Sequence, residues 1–227
     1  MKISAIIPAY NEELRIGDTV RALLSVPEIN EIIVVDDGSA DQTAVRAKEA
    51  GAQRVIVLDK NRGKGGALSR GVEEAKGDVL CFVDGDLGSS AGQFGKLLVP
   101  VLQGDADMVV ASFPRAKRPA GIGLVRGVAV WGINKLAGFR PTAPLSGQRV
   151  LRRDIWDKAL CARDGFGVEV GLTVDCLRNG FRMKEIPVNM SHRESGRDWQ
   201  GFKHRGKQFV SVSRTLLRLW VKRRVKV

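Results

Sequence analysis

VLCFVDGD, residues 79–86, is an apolar run that ends in two acids, Asp84 and Asp86, one residue apart. Such a run predicts a buried strand, and the two carboxylates then lie at the edge of a sheet. Hard divalent cations such as Mn²⁺ and Mg²⁺ prefer oxygen ligands and keep positions open for phosphate. The stretch therefore indicates a strand whose end carries a metal site for a diphosphate.

The first 113 residues alternate short β-branched runs with helical patterns. The predicted strands cover 3–8, 31–36, 54–58, 79–84 and 108–113, and the predicted helices cover 12–25, 41–50, 65–75 and 92–102. Strands that are apolar on both faces, such as 32–35, indicate a mostly parallel sheet covered by helices. We therefore expect an α/β fold with a doubly wound central sheet, helices on both faces and ligands at the carboxyl ends of the strands.

The second half is less regular. It predicts helices at 124–136 and 168–179, strands at 147–151 and 183–190, a polar loop at 191–206 and a last helix at 207–222. Pro187 places the strand that contains it at a sheet edge or a bulge. No repeat or linker divides the chain, so we expect a single domain.

Composition narrows the class of protein. Of the 227 residues, 44% are hydrophobic and 27% are charged, which is typical of a globular protein. We expect no signal peptide, and no apolar stretch approaches the roughly 20 residues that span a bilayer. Three cysteines, Cys81, Cys161 and Cys176, fit no zinc or disulfide spacing, so we expect reduced thiols and a cytoplasmic location.

The net charge of +12 is concentrated at the C-terminal end. Residues 197–227 hold ten Lys and Arg against one acid, Asp198. This segment predicts a basic helix that either lies on anionic lipid or, as we favour, packs its apolar side on the domain. Its tail, 222–227, is expected to contact the inner face of an anionic membrane, where each basic group contributes roughly 1 kcal/mol. No aromatic platform accompanies the charge, so we do not expect nucleic acid as a partner.

Two polar clusters follow the first two predicted strands. After the first, Tyr10 could stack on a nucleobase and Glu12 could accept hydrogen bonds from a base or ribose, although a simple strand-to-helix turn explains the same residues. After the second, Asp36 or Asp37 could accept from a uracil N–H or a ribose hydroxyl. The alternative there is turn chemistry alone.

A glycine-rich segment at 61–67 precedes the third helix. Its glycines expose backbone N–H groups at a helix N-terminus and Lys64 adds a charge, which indicates an anion site. The spacing does not fit the Walker motif of NTPases. The dinucleotide fingerprint is also absent after the first strand, which disfavours a dehydrogenase.

The four segments 8–12, 36–39, 61–67 and 84–86 resemble, in order and spacing, those of glycosyltransferase family 2. The N-terminal half looks like the nucleotide-sugar half of the GT-A fold, as in polyprenyl-phosphate sugar synthases. The resemblance implies a UDP-sugar donor held by the side chains and turns of Pro8, Ala9, Tyr10, Glu12, Asp37, Gly38, Lys64, Asp84 and Gly85. It also implies that Asp84 and Asp86 hold the metal–diphosphate.

The segments 144–148, 165–172 and 191–193 are similar to those of the glucosyl-3-phosphoglycerate synthases. This similarity implies a sugar and acceptor pocket at Gly147, Gln148 and Glu169, and a metal ligand at His192 beside Asp86. Glu169 is equally explained as a solvated residue at a helix start, and His192 as a surface residue.

A loop at 193–199 follows His192. Its arginines, Arg193 and Arg197, suit a phosphate in a loop that closes over substrate. An ordinary surface loop is the alternative.

The acceptor half departs from those synthases. They carry an Arg and a Thr ahead of the Pro-Leu-Gly segment, whereas the nearest stretch here is 120–123, and Glu194 follows Arg193 where they have Asn. The acceptor therefore stays open between a small phosphorylated molecule and a lipid phosphate. The similarity implies retention of configuration, while inversion would need a base such as Glu169 or Asp164.

We expect a metal-dependent glycosyltransferase that moves a hexose, favouring UDP-glucose, with Asp84, Asp86 and Glu169 as its catalytic residues. Residues 1–113 would form the nucleotide-sugar-binding half, 114–206 the acceptor half, and 207–227 a basic helix and tail. A homodimer is compatible with this plan.

Three alternative functions share features with this pattern. They are a polyprenyl-phosphate sugar synthase at the membrane surface, a non-catalytic module that binds nucleotide sugar or membrane, and a sugar-nucleotide pyrophosphorylase. The last needs a glycine-rich loop directly after the first strand, which residues 8–11 do not supply.

Overall fold

A seven-stranded sheet forms the centre of the protein. The computed structural model describes residues 1–113, 123–159, 167–190 and 199–224, without the side chains of 199–205, 207 and 222–224. The strands are β1 (Ile3–Ala9), β2 (Glu31–Asp36), β3 (Arg54–Val57), β4 (Val79–Phe82), β5 (Met108–Ser112), β6 (Arg149–Arg152) and β7 (Met183–Pro187). The helices are α1 (Ile16–Leu24), α2 (Thr43–Glu49), α3 (Gly63–Glu74), α4 (Phe94–Leu102), α5 (Leu124–Ala137), α6 (Arg153–Lys158), α7 (Val168–Arg178) and α8 (Trp199–Arg224), with a 3₁₀ helix at Gly88–Gln93.

The strand order is β3-β2-β1-β4-β6-β5-β7. β6 lies antiparallel between β4 and β5, and all the other pairings are parallel. The prediction of a mostly parallel sheet is confirmed, as is the edge position of the strand that contains Pro187. Because β1 is flanked by β2 on one side and β4 on the other, the chain reverses its winding there, and the carboxyl ends of these strands form the crevice where such folds bind ligands.

Helices cover both faces of the sheet, as the two-sided apolar strands predict. Ile7 of β1 packs into one apolar cluster with Ile16 and Val20 of α1 and Leu97 of α4. The next residue back, Ile6, points to the other face, where the cluster includes residues of α3, α6 and α7. This alternation fixes which side chains of the strand ends can reach the crevice.

A third apolar cluster joins α5, α7 and α8 outside the second face. Gly132 of α5 permits the close approach, because a Cβ there would lie 2.4 Å from Leu216 Cδ1 of α8. In the described ranges, no helix is both long enough and apolar enough to cross a membrane.

Several element boundaries differ from the predicted ones. α1 starts at Ile16 rather than 12, because the Glu12 carbonyl accepts the Arg15 and Ile16 N–H groups and closes a turn first. α8 starts at Trp199, within the stretch predicted as a polar loop up to 206. Once the C-terminal part of a helix is packed, adding residues at its N-terminal end costs little free energy, provided that none of them is proline. The short helix α6 was not predicted.

Cys81 and Cys176 are free thiols, both buried. Cys161 lies outside the described residues, as do 114–122, His192, Arg193, Arg197 and 225–227.

Candidate active site

The loops after β1 and β2 are tied to each other by side-chain hydrogen bonds. Asn11 has a φ of 55°, in the left-handed region that asparagine tolerates. Its N–H donates to Ser39 Oγ at 2.9 Å, and its Oδ1 accepts the Ala40 N–H at 2.9 Å. These bonds fix the rim of the crevice, on which Tyr10 is 49% exposed.

The turn after β4 lies against the end of β1. A Cβ on Gly85 would lie 3.4 Å from Ala9 Cβ and 3.5 Å from Glu12 Cγ, which is ordinary van der Waals contact. Pro8 and Ala9 are the last residues of β1. The residues predicted to hold the base region therefore meet the predicted metal turn at the switch point of the sheet.

The two acids after β2 have different partners. Asp36 Oδ1 accepts the Ser39 N–H at 2.8 Å, which is turn chemistry. Asp37 reaches across to the start of α3, where its Oδ1 accepts the Arg62 N–H at 2.7 Å and its Oδ2 accepts the Gly63 N–H at 2.8 Å. Burial raises the pKa of Asp37, and these two hydrogen bonds only partly offset that rise.

The start of α3 uses two of its N–H groups within the protein. The Arg62 and Gly63 N–H groups donate to Asp37, and the anion site predicted for 61–67 stays a prediction. Gly38 makes this approach feasible: it has a φ of 74°, and a Cβ there would come within 3.1 Å of the Asn61 nitrogen. Asp37 thus holds the β2 loop against α3, and its contact with uridine stays a prediction.

Lys64, Asp84, Gln148 and Glu169 form the centre of the candidate site. Lys64 Nζ lies 2.6 Å from Asp84 Oδ1 and 3.1 Å from Glu169 Oε1. Gln148 donates from Nε2 to Asp84 Oδ2 at 2.6 Å and accepts the Asp84 N–H on Oε1 at 3.0 Å. Four residues from α3, the β4 end, the segment before β6 and α7 therefore meet at one point.

The charges in this cluster are coupled. Burial disfavours the ammonium form of Lys64, but the charges of Asp84 and Glu169 and their hydrogen bonds outweigh burial and raise the pKa of Lys64 well above its ordinary value of 10.5. The Lys64 side chain is 19% exposed and that of Glu169 is 9% exposed. Lys64 is thus a fixed positive charge at neutral pH, and it neutralises part of the negative charge of the two carboxylates.

Gly147 has a steric reason to be glycine. A Cβ there would lie 2.1 Å from Lys64 Nζ and 2.9 Å from Asp84 Oδ1. The sequence placed Gly147 in the sugar and acceptor pocket only through a family resemblance. The structure adds that any side chain at this position would enter the space of the Lys64–Asp84 ion pair.

Arg149 is a residue that the sequence analysis missed. It is 1% exposed; its Nε donates to the Ser146 carbonyl and its Nη1 to Thr173 Oγ1, each at 2.9 Å. Burial lowers the pKa of Arg149 to about 10, and Glu169 opposes that shift. The alternation of side chains along a strand could have revealed that Arg149 is buried. Arg149 lies on the same face of β6 as Leu151, which packs in the cluster of α3, α6 and α7.

The donor set of the turn after β4 fits a hard cation, since it offers carboxylate oxygens at a strand end. Asp84 is held by Lys64 and Gln148, whereas the Asp86 carbonyl accepts Arg15 Nη1 at 3.2 Å. Within the described ranges, no group of three His, Cys, Asp or Glu residues lies together as a ligand set. The predicted third member, His192, is outside those ranges.

A cavity of about 400 Å³ opens beside Asp84 and Gly147. Arg126 and Thr142 line it, and Arg126 Nη2 donates to the Thr142 carbonyl at 3.1 Å. Glu185 accepts from the Thr142 N–H at 2.8 Å and from its Oγ1 at 2.6 Å. The cavity thus contains an Arg and a Thr that lie 16 residues apart in sequence. Residues 120–122, in the stretch compared with the acceptor Arg and Thr of the synthases, lie outside the described residues.

The chain is similar in sequence to several known proteins. The family model described as Glycosyl transferase family 2 matches residues 4–125 of the chain. Glucosyl-3-phosphoglycerate synthase of Mycolicibacterium paratuberculosis is 35% identical over 217 residues, which cover 85% of this chain and 65% of that protein. Dodecaprenyl-phosphate galacturonate synthase of Rhizobium johnstonii is 31% identical over 147 residues, 61% of this chain and 43% of that protein.

Solved structures agree with the sequence relatives. Glucosyl-3-phosphoglycerate synthase of Mycobacterium tuberculosis, in complex with Mn²⁺, UDP-glucose and phosphoglyceric acid, superposes with a TM-score of 0.79 at 28% identity, covering 96% of this chain and 79% of that one. A structure of the same enzyme with Mg²⁺ and UDP gives the same TM-score. The chain spans less than two thirds of the length of the curated glucosyl-3-phosphoglycerate synthases that it matches.

Proposed function

The chain belongs to glycosyl transferase family 2, and from this premise we propose that it transfers a hexose, with glucose favoured, from a UDP-sugar to a phosphorylated acceptor in the presence of Mn²⁺ or Mg²⁺. Its fold is of the GT-A class. The proposed donor rests on the UDP-glucose complex of the M. tuberculosis enzyme, which covers 96% of this chain.

One observation carries the proposal. Lys64, Asp84, Gln148 and Glu169 meet at the switch point of the sheet, where α/β folds bind nucleotides, and Asp84 begins the Asp-Gly-Asp turn. A structural ion pair alone requires neither a second carboxylate on the lysine nor an amide on the first carboxylate. A site that must hold one carboxylate in a single orientation toward a ligand does.

The residues of this cluster have separate proposed roles. Asp86 and His192 would hold the metal, while Asp84 would face the ribose or a metal-bound water. Once bound, the divalent ion would neutralise charge on the departing diphosphate. Lys64 supplies a second, permanent positive charge from the protein side, and Gln148 keeps Asp84 from rotating away.

The nucleotide would lie along the rim formed by the β1 and β2 loops. Tyr10 offers an exposed ring for stacking, and the ends of β1 and of the Gly85 turn close the floor beneath it. Asp37 and Gly38 would meet the uridine. Asp37 already accepts two N–H groups, so any uridine contact uses the remaining lone pairs of its oxygens.

The acceptor would bind in the 400 Å³ cavity on the other side of Asp84. Arg126 lines this cavity, and a guanidinium suits a phosphate group. Gly147 lines this cavity, while Glu169 contacts Lys64 and Gln148 contacts Asp84. These three residues would contact the sugar. We favour a small phosphorylated acceptor such as phosphoglycerate, which the M. tuberculosis enzyme holds. A lipid phosphate is the second class, because a relative is a dodecaprenyl-phosphate galacturonate synthase.

A thermal-shift screen followed by an acceptor panel tests this function. Nucleotide sugars are screened with and without Mn²⁺, since a ligand that binds only the folded protein raises its melting temperature. UDP-glucose with Mn²⁺ should give the largest shift. The panel then offers phosphoglycerate or short polyprenyl phosphate with UDP-glucose and measures glucosylated product. No shift with any UDP-sugar would contradict the proposal, and a shift without transfer to either acceptor would point to a binding module.

A further inference from the structure

α5 and α8 form an apolar groove on the outer side of the third apolar cluster. The groove has a volume of about 230 Å³ and is lined by Val128, Trp131, Gly132, Lys135, Leu136, Ser213, Leu216, Leu217 and Trp220. Its floor is closed because Gly132 lets α8 lie directly against α5. Its walls are open, since Trp131 is 59% exposed and Leu217 is 64% exposed.

The exposed apolar surface continues beyond the groove along both helices. Leu124, 61% exposed, precedes Val128 by one helical turn, and Val221, 54% exposed, follows Leu217 by one turn. We call this surface the α5–α8 face and define it by Leu124, Val128, Trp131, Lys135, Leu217, Trp220 and Val221. Single exposed apolar residues are normal, but a contiguous patch marks an interaction surface.

The charge of the two helices indicates what covers this face. α5 holds two basic residues and α8 holds eight, and neither helix contains an Asp or a Glu. A second copy paired about a two-fold axis would bring these like charges together. An anionic partner would neutralise them, so charge complementarity favours a negatively charged surface over self-association.

We propose that the α5–α8 face docks on the surface of an anionic lipid bilayer. Tryptophan side chains prefer the boundary between lipid and water, where the apolar ring is buried and the indole N–H stays hydrated. Basic side chains at that depth meet lipid phosphates. Trp131, Trp220 and Lys135 line the groove together, and the exposed Arg214 precedes Leu217 by three residues on α8, so this combination lies on or beside the face.

One of the two helices of this face also contributes to the candidate acceptor cavity. Arg126, which lines that cavity beside Asp84, belongs to the first turn of α5, and Trp131 lies on the same helix five residues later. The proposal itself concerns lipid binding alone, so it stands or falls separately from the transferase activity.

Co-sedimentation with vesicles tests the proposal in the absence of any nucleotide sugar. The full chain is mixed with vesicles of phosphatidylcholine or of phosphatidylcholine with phosphatidylglycerol. We expect binding to the anionic vesicles that weakens as salt is added. The double variant Trp131→Ser/Leu217→Ser should bind roughly tenfold or more weakly because it loses buried apolar area. Val45→Ser, which alters a 53% exposed residue of α2, serves as the matched control and should bind as wild type does.

If the first variant does not fold, a second variant still tests the proposal. Lys135→Gln/Arg214→Gln leaves the apolar packing intact and should lose most of the anionic preference, with its fold checked by circular dichroism. Absence of binding to anionic vesicles, equal binding to both kinds of vesicle, or unchanged binding by both variants would overturn the proposal. So would a wild-type dimer in sedimentation velocity that Trp131→Ser/Leu217→Ser converts to monomer, because the face would then be an interface between copies.

Discussion

Gln148 holds Asp84 at two points, through the Asp84 N–H on its Oε1 and through Asp84 Oδ2 on its Nε2. A side-chain amide that pairs with both the backbone and the carboxylate of one residue fixes that carboxylate in a single rotamer. The opposite oxygen of Asp84 is held by Lys64. The orientation of the first acid in the Asp-Gly-Asp turn is therefore set by two segments that lie 84 residues apart in sequence.

Gln148→Leu should lower turnover without unfolding the protein. Leucine fills a similar volume but leaves Asp84 Oδ2 without its donor, so the carboxylate can rotate. We expect a loss of roughly 10- to 100-fold in kcat with UDP-glucose and Mn²⁺, as for residues that orient metal-site ligands. Steady-state kinetics measure this, with Gln103→Leu at the end of α4 as the control. Equal activity of the two variants would remove Gln148 from the site.

Gly147→Ala should disrupt the Lys64–Asp84 ion pair. The added Cβ would lie 2.1 Å from Lys64 Nζ, and the lysine must move because it is the flexible partner. We expect activity to fall roughly 100-fold, the scale of losing one electrostatic contact in an active site, with little change in melting temperature. Gly127→Ala is the control, because a Cβ there meets no atom within 4 Å and should stabilise α5 by up to about 1 kcal/mol. Wild-type activity in Gly147→Ala would contradict the assigned contact.

Lys64→Met should change how stability depends on pH. The folded-state pKa of Lys64 is raised above its ordinary value of 10.5, so its contribution to stability is fully present below pH 10.5 and is lost as the pH rises through the folded-state pKa. The difference in unfolding free energy between wild type and Lys64→Met should thus be constant near neutral pH and shrink above pH 10.5. Urea denaturation across that range measures it, with Lys96→Met as an exposed control. A difference in unfolding free energy that grows at high pH would contradict the raised folded-state pKa of Lys64.

Arg149→Met should lower the free energy of unfolding far less than Arg149→Ala does. Methionine fills the buried volume and removes a cation whose Nη2 has no hydrogen-bond partner among the described residues. Replacing such a charge with an apolar side chain is often close to neutral, within about 1 kcal/mol. The alanine variant leaves a cavity and should lose about 2–5 kcal/mol.

Urea unfolding separates the two Arg149 variants, and Arg152→Met on the exposed face of β6 is the control. Equal losses for methionine and alanine would mean that the charge itself holds the fold together.

The sequence was sufficient for the strands near the N-terminus and for the polar residues that follow them. Two-sided apolar strands predict a covered parallel sheet, and polar residues at strand ends predict a common rim, because both patterns are local. The antiparallel insertion of β6 between β4 and β5 could not be predicted, since it depends on pairing between segments about seventy residues apart. The same insertion brings Gln148 and Gly147 to Asp84.

The contacts that the sequence did not reveal share a physical cause. Asp37 reaches the amides at 62 and 63 from another loop, a contact that no local pattern encodes. Arg149 was overlooked because a charged residue is normally assigned to the surface. α8 begins at Trp199 because helix extension from a packed segment overrides the polar character of the residues before 207.

The most direct test of the central claim is the release of UDP from UDP-glucose by wild type, Asp86→Asn and Asp105→Asn, measured with Mn²⁺ and after chelation with EDTA. Asp105 is an exposed acid paired with Lys184, far from the turn after β4, and serves as the matched control. The account predicts Mn²⁺-dependent release by wild type and Asp105→Asn, and a loss of roughly 100-fold in Asp86→Asn. Release by Asp86→Asn at the wild-type rate, or release by wild type that EDTA leaves unchanged, would contradict it.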